Sequence, residues 1–192
     1  SLTVPESVNY IDLNNMSELT DIKLPETAVL ANDCFAGCYK IKNLVIPRGN
    51  ITLNGVNVGR TANVVLPDDV LEVNGPISNG RHGWDDISSG NSTLKSIDLK
   101  NVRILTNGAL ANCIVLDKVT LPDSLITLGM NAFRNCRKLR SIEGGGNVRQ
   151  IGICCFADCS ELDDFGDLEK SVRNVGTLAF LDTDWFHDQP NG

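Results

Sequence analysis

Leu116-Asp117-Lys118-Val119-Thr120-Leu121-Pro122 carries a pattern that returns along the chain. It recurs as Leu19-Thr20-Asp21-Ile22-Lys23-Leu24-Pro25 and as Ile41-Lys42-Asn43-Leu44-Val45-Ile46-Pro47, and without the proline as Leu94-Lys95-Ser96-Ile97-Asp98-Leu99. Alternation of apolar and polar residues over so few positions predicts a three-residue strand with one face inward. A proline then ends it by removing a ladder donor, as at Pro25, Pro47, Pro67 and Pro122.

The central apolar position of the pattern runs Leu2, Ile22, Leu44, Val64, Ile97, Val119, Ile142 and Phe165, with steps of 20, 22, 20, 33, 22, 23 and 23 residues. Periods of this length identify a stacked-repeat architecture. A second block keeps the same register. Leu105, Leu128, Ile151 and Val175 form one column, and Leu110, Phe133, Phe156 and Phe180 another five residues later. Cys113, Cys136 and Cys159 follow three residues on, with Thr183 in the last unit, and then Leu116, Leu139, Leu162 and Phe186. Phe35, Cys38 and Ile41 obey the rule near the start. A unit this small cannot bury its own apolar edge, so neighbouring units must supply the core. Aromatics at only 5% require that core to be built mostly of aliphatic side chains, which suits thin layers.

The string Ser124 to Ile142, with its Leu128-Gly129 pair, Ala132-Phe133 pair, Cys136 and Leu139-x-x-Ile142, resembles the repeat of the BspA-like leucine-rich-repeat proteins. Ile151-Gly152, Cys155-Phe156, Cys159 and Leu162 repeat it, as do Val175-Gly176 and Ala179-Phe180. The resemblance implies an α/β-type leucine-rich-repeat solenoid, with short parallel strands in one curved sheet and turns, short helical or irregular segments on the other side. The expected organisation is a single solenoid over 1–192 of about eight units, with an insertion around 75–91. It also implies a secreted or cell-surface protein of host-associated bacteria or mucosal protists, acting in adhesion or binding of host or bacterial proteins. The units from about Leu44 to Gly80 depart from the pattern, lacking the Ala-Phe-x-x-Cys block. The end at Trp185-Phe186, without a polar cap, raises the expectation of a piece of a longer polypeptide.

A net charge of −7 and a pI near 4.8, with no basic run, argue against a nucleic-acid surface. No apolar stretch approaches the roughly 20 residues of a membrane span. Of seven cysteines, Cys38, Cys113, Cys136 and Cys159 share one column, and Cys34 and Cys155 align with Ala109, Ala132 and Ala179. Such positions are those of small buried hydrophobes, and only Cys154 falls off both columns. A disulfide between adjacent turns is geometrically conceivable, but side chains of one column point the same way. His82 and His187 stand away from the cysteine column, and no C-x₂-C or H-x₃-H spacing occurs, so neither a thiol enzyme nor a zinc site is expected, nor any cofactor. Gly144-Gly145-Gly146 lacks the G-K-[ST] of a phosphate loop and reads as a strand exit. Glu161, Asp163, Asp164, Asp167 and Glu169 could gather a hard cation, but such a run is more often a solvated edge.

Partner binding in a solenoid uses equivalent positions of successive units. The outward strand residues are Thr3, Lys23, Val45, Val65, Asp98, Thr120, Glu143 and Gly166. Lys23, Val45, Val65, Asp98, Thr120 and Glu143 are therefore candidates for protein contact, with the two valines as an apolar centre inside a polar rim. Trp84, on the insertion, reads either as an interface anchor or as a ring folded back over the irregular units. Two functions follow: a binding or adhesion module, or a non-binding spacer within a larger exported protein.

Overall fold

A computed structural model describes residues 1–32, 34–38, 40–54, 63–74, 93–106 and 108–187. The chain winds in coils, most of which give one short strand to each of two lines. Along the chain these are β1 (Leu2–Thr3) and β2 (Tyr10–Ile11), β3 (Ile22–Lys23) and β4 (Val29–Leu30), and β5 (Asn43–Val45) and β6 (Thr52–Asn54). β7 (Asn63–Val65) and β8 (Glu72–Asn74), β9 (Ser96–Asp98) and β10 (Ile104–Thr106), and β11 (Lys118–Leu121) and β12 (Thr127–Leu128) follow. β13 (Ser141–Gly144) and β14 (Gln150–Ile151) come next, then β15 (Asn174–Val175), with single helical turns α1 (Leu168–Ser171) and α2 (Asp184–His187).

All pairings between these strands are parallel. In the first line β1 pairs with β3, β5–β7–β9 form a run, and β11 pairs with β13. In the second, β2 pairs with β4, and β6, β8, β10, β12, β14 and β15 form a continuous six-stranded sheet. The register is that of the sequence columns: Val119 faces Ile142, and Leu105, Leu128, Ile151 and Val175 follow one another. The parallel-strand solenoid is thus as the repeats predict. The side opposite the first strands, expected as turns and short helical or irregular segments, is in large part a second strand line. The reason lies in the isolated inward residue of each unit (Leu105, Leu128, Ile151), flanked by residues that face out and leave the backbone free to pair laterally.

Between the second and first lines a third row of bonds closes the coil. Gly108, Leu110 and Asn112 donate to the carbonyls of Met130, Ala132 and Arg134. Asn131, Phe133 and Asn135 donate to Ile153, Cys155 and Ala157, and Cys154, Phe156 and Asp158 to Thr177, Ala179 and Leu181. Two corners per unit take positive φ to permit this. One holds Gly108, Asn131, Cys154 and Leu178, the other Asn112, Asn135, Asp158 and Asp182. Gly and Asn enter that region at least cost. The off-column Cys154 thereby finds its address: it stands at the corner that Gly108 and Asn131 fill in the two preceding units.

Inside, Leu44, Ile46, Leu66, Leu99, Val119, Leu121 and Ile142 line the first strands, and Leu105, Leu128 and Ile151 the second, all buried. Phe133, Phe156 and Phe180 stack in near-parallel pairs at 5.3 and 5.7 Å. Phe165 meets Phe156 and Phe180 edge-on, and Trp185 covers Phe180 and Phe165 at 5.2 and 5.6 Å. The column cysteines are free thiols. Cys38, Cys136 and Cys159 each donate at 3.1 Å to a carbonyl of the preceding coil, from Leu13, Leu110 and Phe133. Thr183 takes the cysteine place in the last unit, its hydroxyl donating to Phe180 O and accepting from Phe186 N–H. Close approach dictates glycine at Gly152, where a Cβ would lie 2.5 Å from the carbonyl carbon of Gly129. Gly144 ends β13 at φ 72° beside Leu121, and Gly145, at φ 77°, follows it at the exit that Pro122 makes one coil earlier.

Candidate protein-binding face

Parallel pairing sets equivalent strand residues side by side, so the outward row of the first line forms exposed strips along each paired run. Thr3 lies beside Lys23, Val45 beside Val65, Val65 beside Asp98, and Thr120 beside Glu143. All are exposed. Val45 and Val65 are 64% and 46% accessible, values that put two adjacent branched side chains largely in water. Trp84 and the insertion around it lie outside the described residues.

Electrostatics divides the strip. Toward the C-terminal side the polar residues are engaged with one another. Lys118 pairs with Glu143 at 2.5 Å, and the Thr120 hydroxyl donates to Glu143 at 3.3 Å. The Lys118 ammonium holds the Glu143 carboxyl below its ordinary range. Asp98 accepts from the Lys100 ammonium at 2.9 Å and is likewise lowered by it. Toward the N-terminal side, Lys23 and the two valines have no such partners among the described residues.

Beside Val45 the strip is interrupted. β3 and β5 do not pair, and between them opens a groove of about 710 Å³ lined by Ile22, Lys23, Leu24, Val45, Arg48 and the prolines Pro25, Pro47 and Pro67, among others. The sequence reading did not find this groove, although the column of three prolines, each lacking a ladder donor, was its visible trace. Nor did it find the exposed apolar residues of the second line, Tyr10 beside Val29, and Ile51 and Leu71 at the following coils.

Five of the buried thiols are shifted away from nucleophilic reactivity. Burial pushes Cys34 up to about 11, and Cys38, Cys136, Cys155 and Cys159 also rise, chiefly by desolvation. A reactive cysteine needs the opposite shift. Among the described residues no group of three or more His, Cys, Asp or Glu could hold a metal ion. Within the acidic run, Glu161 is bound by Lys138 and Arg140, Asp167 by Lys170, and Asp164 accepts the Gly166 N–H. No helix among the described residues is long and apolar enough to cross a membrane.

Short parallel strands in register, an aliphatic ladder and corners of positive φ that recur from turn to turn define a leucine-rich-repeat solenoid. The chain belongs to the BspA type leucine rich repeat family, whose model matches six copies over residues 1–58 and 88–187. No curated protein matches the sequence. Among solved structures, a leucine-rich repeat protein from Bacteroides ovatus superposes with TM-score 0.66 at 17% identity, over 94% of this chain and 63% of that one. The Treponema protein TpLRR gives 0.51 at 18% identity, over 93% and 81%. A leucine rich cell surface protein from Faecalibacterium prausnitzii gives 0.54 at 15%, over 90% and 59%. This chain therefore spans less than two thirds of the length of the Bacteroides protein, and at such identities the likeness is one of fold.

Proposed function

We propose that residues 1–192, read as one array interrupted by the insertion at 75–91, form a non-catalytic recognition module at the cell surface or outside the cell. It binds a protein partner through the outward row of the first strand line. The observation that carries this reading is the exposure of Val45 and Val65 on paired strands, an apolar centre flanked by polar residues at Lys23 and Asp98. Exposed aliphatic pairs of this kind gain free energy when a partner removes them from water. The cell-surface placement is supported by the description of the Faecalibacterium relative. Thr120 and Glu143 extend the row as rim, and Trp84 is an additional contact on the insertion.

The test is capture of bacterial and host surface proteins by the intact chain and by Val45→Glu/Val65→Glu, with thermal melts of both. Loss of the captured proteins at an unchanged melting temperature supports the reading. Capture that is indifferent to the two charges removes the row as the contact and leaves the array as a spacer.

A further inference from the structure

The interruption between β3 and β5 differs from an ordinary irregularity in what it leaves uncovered. Where the first line is paired on both sides, at β7, the inward residues are sealed: Val64 and Leu66 are 4% and 1% accessible. Ile22 and Leu24 occupy the same inward positions in an interior coil, yet both are only partly buried. Backbone pairing lapses with the side chains. Val4 donates to Lys23 O at 2.9 Å and Ile46 to Val65 O at 3.0 Å, while the equivalent N–H of Leu24 has no acceptor among the described residues. The gap closes again just beyond, where Arg48 N–H donates to Glu26 O and Thr27 bridges to Arg48. The result is a wedge with an apolar floor and an unused backbone donor on its wall.

Its rim carries charge. Lys23 and Arg48 line the groove and neither has an ion pair among the described residues, where seven other cations do. Glu26 is the only carboxylate among the lining residues. Two cations against one anion, in a protein of net charge −7, make this a local reversal of sign.

We propose that this groove receives an extended peptide segment of the protein partner, one that carries a carboxylate side chain. This assignment rests on the protein-binding reading above and specifies the form of what is bound. A strand laid along the wedge offers a carbonyl to Leu24 N–H, as strand addition to an open sheet edge does. Its aliphatic side chains cover Ile22, Leu24 and Val45, and its carboxylate sits between the Lys23 ammonium and the Arg48 guanidinium, where charge-assisted hydrogen bonds are strongest. A purely apolar ligand would use the floor and leave the cations and the backbone donor idle.

The experiment selects from a random octapeptide display library against the intact chain and against Lys23→Glu/Arg48→Glu. Both substituted residues are exposed, and melting of the variant verifies its fold. Peptides selected by the intact chain are expected to share an Asp or Glu at one position, with Asn or Gln there weakening binding about tenfold or more. The variant is expected to select Lys or Arg at that position. No acidic preference, or one that survives the charge reversal, overturns the proposal. Val65→Glu, which lies outside the groove lining, tests the broader reading separately. Partner capture lost in Val65→Glu while no acidic peptide is selected overturns the groove and leaves the protein-binding face standing.

Discussion

Phe133 and Phe156 lie one coil apart with ring centroids separated by 5.3 Å and planes within 10° of parallel. Both are completely buried, so the column of the sequence is a column in space.

Removing one ring from this stack leaves a void that neighbouring coils, pinned by their ladders, cannot collapse into. Phe133→Ala is expected to cost about 3–5 kcal/mol, the range for a buried aromatic. Urea denaturation followed by circular dichroism measures it. A loss below about 1 kcal/mol would show that the column carries little of the stability.

Leu178 is the misfit of its corner. It holds φ at 58° where Gly108 and Asn131 stand in earlier coils, and it is 54% accessible, so little burial compensates the strain. Leu178→Asn is expected to stabilise the chain by about 1 kcal/mol, the left-handed penalty for an ordinary side chain. A thermal melt that falls on substitution would show that Leu178 gains more from its contacts than its backbone loses.

The buried thiols make stability sensitive to alkali. Cys34 titrates near 11 when folded against an ordinary 9.0, so its contribution is complete below 9.0 and is lost as the pH rises from there through about 11. Melting temperature is expected to decline over that interval. The decline should be shallower in Cys34→Ala, because alanine fills the same column at Ala109, Ala132 and Ala179. An equal alkaline slope in both proteins would refute the assignment. At the acid end, Glu161 is held below its ordinary 4.5 by Lys138 and then Arg140, so its small, exposed contribution fades as the pH falls below that value.

The inward columns were legible because each is a same-register choice of apolar residue repeated many times, and burial leaves few alternatives to Leu, Ile, Val or Phe. The outward row was legible for the same reason, since Val45 and Val65 had to face out once Leu44 and Val64 faced in. The second strand line was not. Gln150-Ile151 and Asn174-Val175 are too short for alternation to distinguish strand from turn, and their pairing is decided by the neighbouring coil rather than by local preference. The groove was hidden likewise. Ile22-Lys23-Leu24 reads like every other unit, and only the absence of a pairing across to β5 exposes its inner face. Cys154 looked anomalous because φ leaves no mark in a single residue type.

On the side away from that groove, the amide of Asn50 is buried where β4 and β6 fail to pair. It donates to Ala28 O and Pro47 O at 2.7 and 3.0 Å and accepts from Leu30 N–H at 2.9 Å. One side chain thus acts as a rivet between coils that elsewhere are sewn by whole strands. In an array whose cooperativity passes only between neighbours, such a seam sets how far disorder spreads: loss of order in the first coils meets its natural stop, or its point of failure, where this asparagine and the Arg48–Glu26 bond bridge the gap.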